Sequence, residues 1–128
     1  MNNTHTSITQ KQFHSFMELP VKGPFQMINL LKFKDKVEDE NITGAEAYAQ
    51  YMAAVVPFFQ NTKAKIIYQG KPLFSLIGPE DTIEWDKVLI VEYQNKQEFI
   101  AMITKDGYPA EMRSRALADS RLILSIDK

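Results

Sequence analysis

Cysteine is absent from this sequence. That absence removes disulfide frameworks, thiolate metal sites and cysteine nucleophiles together, and it agrees with a reducing compartment. No run approaches the roughly 20 apolar residues of a membrane span, and no basic start is followed by an apolar stretch. Residues 1–7 are polar, so export and membrane insertion have no signal, and a soluble cytoplasmic protein is expected. Charge of one sign is missing too. The 15 basic and 16 acidic residues leave a net charge of -1, which gives no pull towards phosphate backbones or anionic lipid. The one local cationic excess, Arg113, Arg115 and Arg121, is mixed with Glu111 and Asp119. Neither nucleic acid nor membrane is therefore an expected partner. Metal-ligand spacing and a glycine-rich phosphate loop are lacking, so no metal or cofactor is expected. Ser75, Ser114, Ser120 and Ser125 have no strand-associated histidine, because His5 and His14 both precede the first expected strand.

What is present is enough apolar material, 45% of 128 residues, for a single domain over 1–128 with a core of its own. The chain is organised around Glu84-Trp85-Asp86-Lys87-Val88-Leu89-Ile90-Val91-Glu92-Tyr93. Val88 to Val91 is too short for a helix and apolar on both faces of a strand, which predicts a central strand covered on both sides.

Around it the elements follow from spacing. Capping-box patterns at Ser7 and Thr9, with Phe13, Phe16 and Met17 at helical intervals, predict a short helix over 9–18 that Pro20, Gly23 and Pro24 end. Phe25 to Phe33 alternates as a strand, with Asn29 the odd residue among Phe25, Met27, Leu31 and Phe33. After a charged loop over 34–41, Thr43-Gly44-Ala45-Glu46 opens the longest amphipathic helix, in which Pro57 is expected to make a kink or start a new turn. Residues 64–77 predict a long edge strand interrupted at Gly70-Lys71-Pro72. Asn95 caps a helix with Phe99, Met102 and Ile103 inward, Gly107 ends it, and Pro109 starts another carrying Met112, Ala116 and Leu117. A last strand is expected over 121–126.

Without the first helix the order is strand, helix, strand, strand, helix, strand. This is the split βαβ of an α+β, ferredoxin-like βαββαβ fold, with an antiparallel sheet of order 4-1-3-2 and its helices on one face. Residues 1–20 form an N-terminal helical extension and 25–126 the core. The second face remains apolar and needs a partner.

Gly44 to Tyr51 with the strand before it, Glu84-Trp85-Asp86 followed by Val88 to Tyr93, Phe99, Met102, Tyr108, Arg113 and Asp119-Ser120-Arg121-Leu122-Ile123 resemble the DUF1330 family of the dimeric α+β barrel superfamily. The likeness spans about 25–126. Gln94-Asn95, Asp106-Gly107 and the extra N-terminal helix depart from it. The resemblance implies a homodimer in which two open sheet faces form a barrel, often with a partly polar cavity. Asn29 with Trp85 is similar to a reduced form of the Asn and Trp pair of cofactor-independent and haem-degrading monooxygenases in that superfamily. The haem-ligating histidine has no counterpart.

Six residues are candidates for ligand binding: Asn29, Trp85, Glu92, Tyr108, Arg113 and Arg121. An amide among apolar strand residues can bind a carbonyl or sit in a structural network. Glu92 is the candidate catalytic group, since a buried carboxyl with a raised pKa can move a proton, and its bland alternative is a pair with Arg113 or Arg121. Trp85 can stack on a flat ligand or anchor an interface. Arg113, bracketed by Tyr108 and Asp119, can grip an acidic group or pair with Glu111 or Asp119. Tyr48 and Tyr51 are expected to pack. Asn29, Glu92 and one of Arg113 or Arg121 are expected to share a single polar site.

Three functional readings remain open. The first is a homodimer binding a small carbonyl-bearing or acidic organic molecule in a barrel cavity, whether or not it is an enzyme. The second is a cofactor-independent monooxygenase or isomerase in which Asn29 and Trp85 hold the substrate and Glu92 moves a proton. The third is a structural or interaction protein with a solid core.

Overall fold

The computed structural model describes residues 4–128. Its elements run α1 (Gln10–Glu18), β1 (Phe25–Phe33), α2 (Gly44–Gln60), β2 (Lys65–Gly70), β3 (Lys87–Tyr93), α3 (Lys96–Thr104), α4 (Ala110–Ala116) and β4 (Leu117–Ser125). The four strands form one sheet in the order β2-β3-β1-β4, every pairing antiparallel. This is the α+β ferredoxin-like arrangement expected from the element order.

Alternation in the two central strands decides what the sheet covers. Phe25, Met27, Asn29 and Leu31 of β1 and Leu89, Val91 and Tyr93 of β3 are buried on one face. There they meet two apolar clusters, one built with α2 and α4 and the other with α3. Burying a side chain of this size contributes about 1.5–3 kcal/mol, so this face holds most of the core. The opposite face carries Ile28, Leu30, Val88 and Ile90, which are only half-buried.

The caps lie where the sequence placed them. Thr43 Oγ1 accepts the Glu46 N–H at 3.1 Å while Glu46 Oε1 accepts the Thr43 N–H at 2.9 Å, a complete capping box. Asn95 Oδ1 accepts the Glu98 N–H at 2.8 Å. Gly44 opens α2 against backbone: a Cβ there would collide with the backbone of Lys34 and the carbonyl of Ala116. Only glycine allows α2 to approach β1 and α4 so closely. Gly107, at φ 85°, makes the left-handed turn between α3 and α4.

Helix α1 buries no residue completely, yet it is docked. Phe16 packs edge-on against Phe25 and Phe99, with ring centroids 6.3 and 5.6 Å away. Lys96 Nζ donates to the carbonyls of Met17 at 2.8 Å and Leu19 at 2.5 Å, a cation on the carbonyl end of a helix. Further back, the His5 N–H donates to Asp119 Oδ1 at 2.8 Å and Ser120 Oγ donates to the His5 carbonyl at 2.8 Å, tying the N-terminal arm to β4.

Several boundaries differ from expectation. The long strand over 64–77 ends at Gly70, and its irregularity falls between Ile66 and Tyr68 rather than at Gly70-Lys71-Pro72. Beyond Pro72 the apolar residues Leu73, Phe74, Leu76 and Ile77 are 76–95% exposed, so their hydrophobicity was not a sign of pairing inside this chain. Strand β4 begins at Leu117, four residues before the expected 121, because Ser120, Asp119 and Leu117 pair with Leu31, Lys32 and Phe33. The charged loop over 34–41 buries Val37, whose N–H donates to the Ile42 carbonyl at 2.9 Å. Helix α2 runs through Pro57 to Gln60. Pro57 lies in the final turn, where it leaves the carbonyl of Ala53, one turn back, without its helical N–H partner.

Candidate functional site

Asn29 stands at the middle of β1, opposite Leu89 of β3 and Leu122 of β4, and its side chain points to the helix-covered face. An amide there must be satisfied, because an unpaired buried polar group is costly. Its Nδ2 donates to the carbonyls of Leu89 at 3.1 Å and Met27 at 3.4 Å. Its Oδ1 accepts from Arg113 Nη2 at 3.0 Å. Arg113 comes from the last turn of α4, where the helix carbonyls favour a cation. The amide is thus anchored by backbone on one side and holds a guanidinium on the other.

Four of the five tyrosines gather around this pair. Tyr48 and Tyr51 share a face of α2 by their three-residue spacing, Tyr93 ends β3, and Tyr108 lies between α3 and α4. The Tyr51 and Tyr108 hydroxyls are 2.9 Å apart. Burial pushes the Tyr48 hydroxyl up to about 12, although the charge of Arg113 draws it back. Burial also raises Tyr51, Tyr93 and Tyr108; next in importance is the neighbouring Tyr108 for Tyr51, and the neighbouring Tyr51 for Tyr93. At neutral pH every one of these hydroxyls keeps its proton.

All of these groups but Tyr108, which sits behind Tyr51, border a cavity of about 110 Å³ between the sheet and α2, whose apolar lining includes Met52, Val55, Ile66, Leu89, Val91 and Met102. A polar end and an apolar body are the usual make-up of a small-molecule site. Arg113 is in neither of the ion pairs found among the described residues, which join Arg115 to Glu40 and Arg121 to Asp119. A larger, more open depression of about 570 Å³ lies between Phe33, Ala45, Gly70 and Lys87. Its Asp86 carboxylate already accepts the Phe33 N–H at 2.8 Å, and no buried polar groups converge there.

The expected single site is not assembled. Glu92 pairs in register with Gln26 and lies on the open face, where its Oε2 accepts from Gln26 Nε2 at 3.1 Å. Asn29 is an odd number of residues from Gln26 on the same strand, so the two point to opposite faces. Within one chain Glu92 cannot move a proton in the cavity beside Asn29. Arg121 also belongs to the open face, opposite Leu30. Its Nη1 meets Asp119 Oδ1 at 2.7 Å, and its guanidinium lies 5.2 Å from the centre of the Trp85 ring. Trp85 is therefore engaged by Arg121 on the side away from Asn29, and the Asn–Trp pair is split by the sheet. Of the six sequence candidates, Asn29, Arg113 and Tyr108 come together; Trp85, Glu92 and Arg121 do not join them. Tyr48 and Tyr51, expected only to pack, and Tyr93 complete the site. Their sequence signal was a helix face presenting two hydroxyl-bearing rings where aliphatic residues would have filled a core as well.

Among the described residues no group of three or more His, Asp or Glu side chains is placed to hold a metal ion, and no helix is long and apolar enough to cross a membrane.

No family model matches the chain, and no curated protein does. Solved structures do. The chain is similar to the methylated RPA0582 protein, with 32% identity, a TM-score of 0.89, and 99% of this chain and 97% of that one covered. A second structure of RPA0582, a protein of unknown function from Rhodopseudomonas palustris, matches at 34% identity and a TM-score of 0.88 over 98% of each chain. A dimeric ferredoxin-like protein of unknown function from Thermobifida fusca matches at 15% identity and a TM-score of 0.53, covering 83% of this chain and 92% of that one. That last likeness speaks to the fold alone. At this identity, along nearly its whole length, the chain belongs to the family of the RPA0582 protein.

Proposed function

We propose that this protein is a homodimer of the DUF1330 type that binds a small carbonyl-bearing or acidic organic molecule in the cavity between its sheet and helices. The observation that carries the reading is Arg113: a guanidinium without a carboxylate partner, fixed by Asn29 at the wall of a cavity that tyrosine hydroxyls border. In a solid structural core the partial desolvation of a guanidinium with no carboxylate beside it would be offset only by its bonds to Asn29 and Tyr48. The site lies on the helix side of each chain rather than on the open face that would line a barrel. Dimerisation rests on separate grounds. The open face exposes Ile123 at 46% and Tyr68 at 54% beside Ile28, Leu30, Val88 and Ile90, an apolar surface suited to an isologous contact. The Thermobifida fusca protein of the same fold is itself described as dimeric. A cytoplasmic location accompanies the reading, on the cysteine-free composition.

Native mass spectrometry of freshly purified protein tests both parts at once. A dimer mass with a retained small molecule is the expected result, and Asn29→Leu, which removes the amide at nearly constant volume, should release that molecule while keeping the dimer. Monomer alone at low micromolar concentration overturns the dimer. Retention unchanged in both Asn29→Leu and Arg113→Gln overturns the site.

A further inference from the structure

The polar inventory of the cavity is one-sided. Arg113 carries five N–H donors and is hydrogen-bonded to Asn29 Oδ1 and to the Tyr48 hydroxyl, which leaves donors over. The Tyr51 hydroxyl at the wall is bonded to that of Tyr108 behind it, and when Tyr108 donates in that bond the Tyr51 proton is left for a guest. Tyr48 and Tyr93 add two more hydroxyl donors, kept protonated by burial. The strongest acceptor is already engaged, since the Asn29 carbonyl oxygen receives Arg113, and what remains are phenol oxygens, of which those of Tyr48 and Tyr51 are themselves hydrogen-bonded. A cavity with surplus donors, one fixed positive charge and no carboxylate calls for a guest that brings acceptors and negative charge.

We infer that the ligand is a short-chain monocarboxylate, a deepening that rests on the cavity being a ligand site as proposed above. Its carboxylate accepts from the planar fork of Arg113 and from the tyrosine hydroxyls, and its alkyl tail lies among Val55, Leu89 and Met102. The volume sets the length: at about 110 Å³ the cavity is smaller than the roughly 150 Å³ that holds one benzene ring, so a chain of a few carbons fits and a fused-ring aromatic does not. A neutral ketone or amide supplies one carbonyl acceptor and no charge, and an alkylammonium is repelled.

Calorimetric titration of the intact protein at pH 7 with sodium butanoate, butanamide and butylammonium chloride separates the possibilities. Butanoate is expected to bind at least about tenfold more tightly than butanamide, a difference of about 1.4 kcal/mol, and butylammonium not at all. Arg113→Gln should abolish that preference, bringing butanoate down to the affinity of butanamide, the sign of a lost charge. Equal affinity for butanoate and butanamide overturns the carboxylate inference and leaves the cavity as a carbonyl site. Failure of both to bind overturns the inference together with the reading beneath it. The wild-type series decides the matter even where the variant does not fold.

Discussion

The two faces of one sheet have opposite economies of burial and opposite use of polar groups. On the helix-covered face Phe25, Met27, Leu31, Leu89 and Val91 are at most 6% exposed, and the polar residue among them, Asn29, spends its amide on holding an arginine at a cavity. On the open face the polar groups are engaged laterally with one another, Gln26 to Glu92 and Arg121 to Asp119 and Trp85, around a half-buried apolar centre. The first pattern is that of a core with a site set into it. The second is that of a surface with a polar rim, the anatomy of a protein interface. Candidate chemistry therefore concentrates on one face and candidate assembly on the other.

The largest expected effect separates two adjacent residues of β1. Leu31→Ala, at a fully buried position, should lower the free energy of unfolding by about 2–5 kcal/mol. Leu30→Asp should instead keep the fold and convert the proposed dimer to monomer in sedimentation. If urea denaturation shows Leu30→Asp unfolding as readily as Leu31→Ala, the two faces do not divide core from interface. Next comes Gly44→Ala, which pushes a methyl into the backbone of Lys34 and Ala116 and should cost about 1–3 kcal/mol, with weakened ligand binding as α2 shifts its tyrosines. An unchanged thermal midpoint would show that α2 is not held as tightly as the geometry requires.

A deletion of residues 1–20 removes Phe16 from the edge of the core but, among the described residues, no fully buried side chain. It is expected to fold with a loss of about 2 kcal/mol, that of one large apolar contact, and circular dichroism of a coil would contradict this. The tyrosines give a pH test with a definite sign. Tyr48 has its folded pKa raised to about 12 from the ordinary 10.0, so the folded state holds its proton more tightly than the unfolded chain. Its contribution is fully present below pH 10 and is lost as pH rises towards 12, at about 1.4 kcal/mol per pH unit in that window. Tyr48→Phe should flatten the alkaline limb of a stability-against-pH curve. The smallest effect is expected from Tyr51→Phe, which leaves the Tyr108 hydroxyl without its 2.9 Å partner at a cost of about 1 kcal/mol, read from the shift in denaturation midpoint.

Local pattern carried most of the architecture. The alternation of Phe25 to Phe33, the capping box at Thr43 and the Asn95 cap gave each element from contacts only a few residues apart in sequence, and their order was enough for the ferredoxin-like topology and its strand order. Hydrophobicity alone misled at 71–77, because an apolar segment reads as a strand whether its partner is in the same chain or not.

What the sequence determined by itself was the list of strands and helices and the presence of a misplaced amide at Asn29. What only the tertiary structure decided was which polar groups meet. Asn29 reaches Arg113 across 84 positions and Tyr51 reaches Tyr108 across 57, while Glu92, a credible partner for Asn29 on paper, is turned away by strand parity. The reason is physical: periodicity of 2 or 3.6 residues fixes the direction of a side chain relative to its own element, but the face that becomes the core is chosen by register between strands and by the helices that cover them.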